Sequence, residues 1–230
     1  MTTTAQSLVR RATDIAQDKT SVRWQADEWV RLLNDGQREL VIYRPDVFAV
    51  VVAVALAAGV RQALPATAAR LIDVPNNTGG TAVRQIERSE LDALRPGWRA
   101  LTGATVIKHF MHDPRAPRIV EVYPPAAAAG ASLDMVLANY PTDVADPGAN
   151  KTFTDVAGNI SAPDMFANAL LDYMLYRAFL KDADFAGNAA RAQAHYAAFG
   201  ASIGVDLAAA TAVSPGVGKP GELKSSLPGG

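Results

Sequence analysis

Cysteine is absent from the 230 residues of this chain. Its absence excludes disulfides, thiolate metal sites, iron–sulfur clusters and a cysteine nucleophile. An excess of charge of one sign is also lacking, since 22 lysines and arginines stand against 23 aspartates and glutamates, for a net charge of −1. We therefore do not expect the whole surface to coat nucleic acid or anionic lipid, although a local basic face is compatible with these numbers.

Long hydrophobic runs are missing too. The longest, Val47 to Val60, has 14 residues, whereas a membrane-spanning helix needs about 20. The first residues lack the continuous apolar core of a secretory signal. We expect a chain made in a cytoplasm with no membrane partner, and the valines of the run favour a buried strand.

Motifs for catalysis are scarce. Nucleophile-elbow, phosphate-loop, dinucleotide and zinc-protease motifs do not occur in the sequence. His109 and His112 lie in HFMHD, but a metal site there needs further ligands that the sequence does not nominate, so a solvated hairpin end is favoured. His195 is typical of a partly buried structural histidine. We predict no catalytic, cofactor-binding or metal-binding residues, no cofactor and no enzyme.

The carboxylate pairs and the arginines do not by themselves indicate one function. The pairs Asp27/Glu28 and Asp182/Asp184 are typical of solvated helix faces, and nothing else supports a glycosidase-like pair. Arginine is much commoner than lysine, and it makes bidentate contacts and is favoured at interfaces. The arginines are therefore compatible with a subunit interface, with a phosphate-facing rim or with ordinary surface ion pairs.

Helices are predicted near the N-terminus. Ala5 to Gln17 favours a short helix, and Ser21 to Arg44 a longer one that Thr20 or Ser21 caps and Pro45 ends. Gly36 lies on the apolar stripe at a cost of about 1 kcal/mol in helix propensity, which a close approach by another helix would explain. The stripe consists of Val22, Ala26, Trp29, Leu33, Gly36, Leu40 and Tyr43.

Helical spacing returns near the C-terminus. One run begins at Pro163, with Ser161 and Asp164 as an acidic variant of the capping box. A second run extends from Phe185 to Ile203, and Gly204 is a good stop signal. Core packing between the two final helices is favoured over an interface for Tyr173, Tyr176, Arg177 and Tyr196. The three tryptophans are predicted to be packing anchors; they are Trp24, Trp29 and Trp98.

The middle of the chain favours strands and short helical turns. Phe48–Leu56 is predicted to turn at residues 57–59 and return as Val60–Leu64. A hairpin is predicted around residues 113–117, and Ser89 is a predicted helix cap. The predicted strands or extended segments are Phe48–Leu56, Val60–Leu64, Arg70–Val74, Val83–Glu87, Val106–Met111, Arg118–Tyr123 and Ser132–Tyr140, and the predicted helical turns are Ser89–Leu94 and Pro96–Leu101.

These patterns predict an α+β fold. N- and C-terminal helices form a helical bundle, a β-rich insertion lies between them in the sequence, and an extended tail follows. The tail is rich in proline and glycine, so we expect no packed element in it alone. The predicted segments are 1–45 (N-terminal helices), 46–160 (β-rich insertion), 161–204 (C-terminal helices) and 205–230 (tail).

Four stretches carry a resemblance to a known family. They are WVRLLNDGQRELVIYRPDV (Trp29–Val47), GVRQALPATAARLIDVPNN (Gly59–Asn77), VEVYPP (Val120–Pro125) and LDYMLYRAFLKDAD (Leu171–Asp184). In order and spacing they resemble the head-to-tail adaptor (connector) proteins of tailed phages, which are similar to tail tubular or gatekeeper subunits. The resemblance covers about residues 20 to 205.

The resemblance implies a structural virion protein. It implies a ring of about twelve copies beneath the portal protein, with the β-rich part toward the next tail (nozzle) protein. Genomic DNA would pass through the channel without sequence-specific contacts. Assembly would take place in the host cytoplasm, and the protein would reside in the neck or tail of the virion. The tail would dock along the portal through small apolar anchors, namely Val213, Val217, Leu223 and Leu227.

Two arginines of the first long helix are predicted at a subunit interface. Arg31 and Arg38 are seven residues apart, so they share a face of the helix and are positioned to meet acidic residues of a neighbouring copy. Two other functions remain as alternatives. One is another virion role, as a head-completion plug or a tail-hub subunit. The other is a small carboxylate-dependent hydrolase, for which the sequence offers no acidic cluster.

Overall fold

A computed structural model describes residues 3–182 and 187–204. None of the helices in these two ranges is long and apolar enough to cross a membrane. The described residues form five α-helices and seven β-strands: α1 (Ala5–Ile15), α2 (Ala26–Tyr43), β1 (Ala49–Ala55), β2 (Gly59–Ala63), β3 (Ala68–Asn77), β4 (Arg84–Gln85), α3 (Arg88–Leu94), β5 (His109–His112), β6 (Ile119–Ala126), β7 (Ser132–Asn139), α4 (Ala167–Lys181) and α5 (Asn188–Ile203).

The strands form two sheets, and the α+β class is confirmed. One sheet has three strands in the order β1-β7-β3, and the other has four in the order β2-β6-β5-β4. The predicted pairing of Phe48–Leu56 with Val60–Leu64 is wrong, because β1 and β2 belong to different sheets. The Gln62 side chain bonds instead to the backbone N–H and C=O of Ala57 and to the C=O of Gly59, at 2.8–3.0 Å. The Gln62 side chain thus gives the polar backbone groups of the turn hydrogen-bond partners, although β1 and β2 do not pair.

The described residues divide into two compact units. The first consists of residues 3–52, 64–72 and 135–204 without 183–186, and the second of residues 53–63 and 73–134. The first contains α1, α2, α4 and α5, and the second contains α3 and the four-stranded sheet. The predicted segment boundaries at residues 45, 160 and 204 stay predictions, and the tail 205–230 lies outside the described residues.

The helices of the first unit share one hydrophobic core. Their fully buried side chains include Leu8, Trp29, Leu33, Leu40, Leu170, Met174 and Phe199. Gly36 of α2 lies against Tyr173 of α4, which confirms the predicted close approach by another helix. Trp24 and Trp29 are buried, as predicted, and Tyr173 packs edge-on against Phe199 of α5 at 5.3 Å between ring centroids.

The start of α2 differs from the prediction. The helix begins at Ala26. Ser21 has a left-handed φ of 54°, and a right-handed helix cannot include a residue in that conformation. Neither Thr20 nor Ser21 caps it. The buried Asp18 carboxylate instead accepts hydrogen bonds from the backbone N–H of Val22, Arg23 and Trp24 at 2.8–2.9 Å. Val22, predicted on the apolar stripe, is therefore outside the helix and 83% exposed.

The C-terminal helices follow the predicted spacing with a different start. Ser161 does not cap α4, since its hydroxyl donates to the carbonyl of Thr142 at 2.8 Å and its N–H donates to Gln37 Oε1. A 3-10 turn at Asp164–Phe166 precedes α4. Asp164 accepts from the N–H of Thr3 instead. α5 ends at Ile203 and is capped by Gly204, whose φ is 68°, so the predicted stop is confirmed.

The second unit contains the predicted hairpin. β5 and β6 pair antiparallel, with Met111 opposite Glu121 and His112 opposite Val120. Trp98 is fully buried, as predicted, and its ring meets that of Tyr123 at 6.0 Å. The predicted cap Ser89 is wrong: α3 begins at Arg88, so Ser89 lies inside the helix.

Candidate interaction surface

The histidines of the hairpin form no ligand cluster. His109 and His112 lie three residues apart in an extended strand, so their side chains point to opposite faces of the sheet. Both are half-buried rather than solvated, and the His109 ring stacks on Tyr123 at 5.9 Å. Within residues 3–182 and 187–204, no three His, Asp or Glu side chains are grouped to hold a metal ion.

His195 joins two helices. Its Nδ1 lies 2.9 Å from Oδ1 of Asp172, which connects α5 to α4. The imidazole stacks on the Phe179 ring with 5.7 Å between centroids, and about a quarter of the side chain is exposed. This arrangement confirms the prediction of a partly buried structural histidine.

Strand β1 exposes valine side chains at residues 50 and 51, which belong to the first unit. It is an edge strand of its sheet, and Val50 and Val51 are 40% and 68% exposed. The apolar run predicts a buried strand, and for the chain alone that prediction is wrong. Uncharged valine on both faces of an edge strand is the composition of a strand that another surface covers. β1 is therefore one half of a candidate interaction surface.

An apolar groove forms the other half. It is an open groove of about 340 Å³ in the first unit, and it has far more apolar than polar surface. Ile42 and Tyr140 are 63% and 55% exposed, although both are large and apolar. The groove is lined by Arg38, Val41 and Ile42 of α2, Ala69 and Arg70 of β3, and Tyr140, which follows β7.

The two arginines of the groove differ in their partners. Arg38 donates to Asp35 at 3.1 Å and also to Asp143. Arg70 is half-buried, and burial lowers the pKa of its guanidinium from the usual value. Among the described residues, no carboxylate lies within ion-pair distance of Arg70. The groove thus contains a partly desolvated cation with unused donors.

The predicted site residues fall into two groups. Arg31 and Arg38 lie on the exposed side of α2, where Arg31 pairs with Asp27 at 2.9 Å and Arg38 enters the groove. Their role at a subunit interface stays a prediction. The predicted portal anchors lie outside the described residues; they are Val213, Val217, Leu223 and Leu227.

Sequence reasoning missed four residues of the candidate surface. They are Ile42, Val51, Arg70 and Tyr140. Ile42 had a detectable signal, because it is a large apolar residue off the stripe that buries Leu40 and Tyr43. Arg70 and Tyr140 had no such signal, because their proximity depends on how the chain pairs near β3 and β7. There the N–H of Tyr140 donates to the carbonyl of Thr67 at 2.9 Å.

The family model of the SU10 adaptor protein matches residues 3–219. The chain belongs to this family of phage head-to-tail adaptors. The resemblance carried by the four sequence stretches is thereby confirmed. No curated protein matches the chain in sequence.

Membership of the SU10 adaptor family defines the class of function. The family is one of structural phage proteins, and an adaptor interacts with portal and tail components. Such a protein resides in the neck of the virion. The relevant geometry is therefore a contact surface, such as β1 and the apolar groove.

Proposed function

We propose that the chain assembles into a closed ring of about twelve copies that links the portal protein to the tail. The helices of the first unit form a bundle toward the portal and neighbouring copies, and the β-rich part faces the next tail (nozzle) protein. The ring forms part of the channel through which genomic DNA passes, and it assembles in the host cytoplasm. The tail docks along the portal through Val213, Val217, Leu223 and Leu227.

One observation carries this proposal. Within the described residues, two apolar surfaces are exposed, one at Val50 and Val51 of the edge strand β1 and one at the groove with Ile42 and Tyr140. Monomeric proteins rarely expose contiguous apolar surfaces. Removing apolar surface from water is the main source of free energy for association, so such a surface favours binding to another protein surface. In an adaptor, the available covers are other copies and the neighbouring rings of the virion.

The charges support passage of DNA without tight contacts. Several arginines already pair with carboxylates of their own chain: Arg31 with Asp27, Arg38 with Asp35, Arg44 with Asp46 and Arg99 with Asp92. Paired arginines bind phosphate less strongly than free ones, since the carboxylate competes for the same donors. A weakly charged lumen lets DNA slide during ejection.

Native mass spectrometry with negative-stain imaging tests the proposal. The purified chain is measured alone and mixed with portal rings, next to a chain that ends at Gly204. We expect the full chain to form a ring of about twelve on the portal and the shortened chain to stay folded without joining it. Unchanged portal affinity of the shortened chain would overturn the docking role of the tail.

Two outcomes would support other functions. A closed ring that binds tail proteins but not the portal indicates another virion role, as a head-completion plug or a tail-hub subunit. A chain that stays monomeric with the portal under all conditions indicates a plug, a hub or an enzyme, and the ring proposal then fails.

A further inference from the structure

Strand β1 lacks two of the features that protect an edge strand, charged side chains and proline. Natural edges are blunted by charged side chains, proline, bulges or a covering loop. The sequence of β1, AVVVAVA, contains no charge and no proline. Among residues 3–182 and 187–204, the order β1-β7-β3 gives β1 a strand partner on one side only, so the N–H and C=O groups of its other side join no described strand. Such an edge is built to receive further backbone or side-chain donors.

The groove lies at the opposite end of the same strand order. Its residues Ala69 and Arg70 belong to β3, which is the other edge strand, while β7 separates β3 from β1. The described part of each chain therefore has two different exposed apolar surfaces. A two-fold dimer needs one patch that complements itself, whereas a head-to-tail contact needs two different patches. The positions of β1 and the groove meet the second requirement.

The charges near the two surfaces are also complementary. Arg70 offers donors that no described carboxylate uses. Asp46 lies three residues before β1, and its carboxylate side chain is 59% exposed although it also pairs with Arg44 at 2.7 Å. A carboxylate has about four acceptor sites, so Asp46 can accept from a second guanidinium. The β1 carbonyls on the side that pairs with no described strand supply further acceptors for the same arginine.

We propose that β1 of one copy packs into the groove of the next copy, with Val51 against Ile42 and Tyr140 and with Arg70 donating to Asp46 or to the carbonyls of β1. The occupant of the groove is thus a second copy of this chain. This contact repeats head to tail until the ring closes. The inference rests on the proposed ring, for which it names the joining surfaces.

Disulfide trapping tests the contact directly, because the chain has no cysteine of its own. The double variant V51C/I42C is assembled into rings, oxidised mildly and run on a non-reducing gel. We expect a ladder of dimers, trimers and larger species, since each copy has one cysteine on β1 and one in the groove and can form a disulfide with a neighbour on either side. The matched control is V22C/I42C, in which Val22 is even more exposed, at 83%; it should give no ladder.

Mixing two charge variants tests the head-to-tail arrangement. V51E disables β1 and keeps the groove, whereas Y140E disables the groove and keeps β1. Each variant alone should need a concentration roughly tenfold higher or more to self-associate, while V22E behaves as the unsubstituted chain. An equimolar mixture should form a heterodimer that cannot grow, because only one intact contact is available. Growth of either variant alone into rings at the concentration that suffices for the unsubstituted chain would overturn the proposal.

The outcomes separate this contact from the proposed function. Closed rings without a ladder from V51C/I42C, or with an equal ladder from V22C/I42C, overturn the contact and leave the ring intact. A fast-migrating oxidised monomer means that positions 51 and 42 meet within one copy, which also overturns it. V51E rings that form normally but fail to bind the portal would identify the portal as the occupant. An unsubstituted chain that never forms a ring overturns both proposals.

Discussion

Gly36 of α2 and Tyr173 of α4 are in such close contact that a Cβ atom at position 36 would lie 2.9 Å from Cδ1 of the tyrosine ring. The ring has little room to move, because Tyr173 is 4% exposed and meets Tyr176 and Phe199 at 5.8 and 5.3 Å between centroids. The absent side chain of Gly36 therefore sets how closely α2 and α4 approach.

Gly36→Ala should lower the free energy of unfolding by about 1 kcal/mol. Alanine gains about 1 kcal/mol in helix propensity, but forcing a methyl group against a buried ring costs typically 1–3 kcal/mol. Urea denaturation followed by far-ultraviolet circular dichroism measures the difference. Gly97→Ala is the matched control, because no atom lies within 4 Å of its Cβ position; it should change stability little. A more stable G36A chain would show that Tyr173 moves aside easily.

Asp18→Asn should destabilise the chain by about 2 kcal/mol. The buried carboxylate holds the N–H groups of Val22, Arg23 and Trp24, and hydrogen bonds to a charged group contribute roughly 1.5–3 kcal/mol each. An amide has only one acceptor oxygen and brings an NH2 group toward donors. Thermal unfolding checks the loss. Asp14→Asn, at an exposed pair with Lys19, should have little effect; equal losses in the two variants would argue against the role of Asp18.

Glu39→Gln should stabilise the chain at neutral pH. Burial raises the pKa of the Glu39 carboxyl above its usual value, although Arg177 and Tyr43 oppose this shift. The native state then holds a proton that the unfolded chain releases, so stability falls as pH rises through the raised pKa. Glutamine lacks this penalty. Its advantage should vanish below about pH 4, where the acid is protonated in both states. Denaturation curves from pH 3.5 to 8 test this.

Asp46→Asn should show the opposite sign. Hydrogen bonds from Arg44 lower the pKa of Asp46, so this group contributes stability above its unfolded pKa of about 3.9. That contribution is lost as pH falls through the lowered native pKa. D46N should be less stable than the unsubstituted chain at pH 7, with the difference shrinking in acid. A constant difference across the same pH series would contradict the pairing with Arg44.

Arg31→Glu combined with Arg38→Glu should weaken ring formation. Arg38 lines the groove, and reversal places acids beside Asp27 and Asp35 on the exposed side of α2. Native mass spectrometry on portal rings measures the number of copies bound. Lys19→Glu combined with Arg115→Glu changes the net charge equally at side chains that are 74% and 94% exposed, so it serves as the control. Normal rings from R31E/R38E would indicate plain solvent exposure.

Local pattern was sufficient for several elements. The helical spacing around Leu33 and Leu40, the proline after Arg44 and the glycine at 204 predict helices within a few residues of those observed. Capping was predicted less well. Asp18 replaces Thr20 and Ser21 because Ser21 adopts a left-handed φ, and no pattern of apolar residues encodes that conformation.

Strand pairing was not predictable in the same way. β1 was expected to pair with the strand that follows it, but β1 pairs with β7, and the N–H of Leu56 donates to the carbonyl of Ala131. Apolar alternation gives each strand its faces without giving it a partner. The groove at Arg70 and Tyr140 depends on such pairing, so it could not be found from the sequence.

The sequence by itself determined the α+β class, the close approach at Gly36 and the membership of an adaptor family, because these depend on local spacing and residue type. The tertiary structure alone decided which strands meet, and it left Val51 of β1 exposed as well as Ile42 and Tyr140 of the groove. A valine run has the same appearance in sequence whether its own chain or another copy covers it, since the hydrophobic effect depends on the area removed from water and is non-directional.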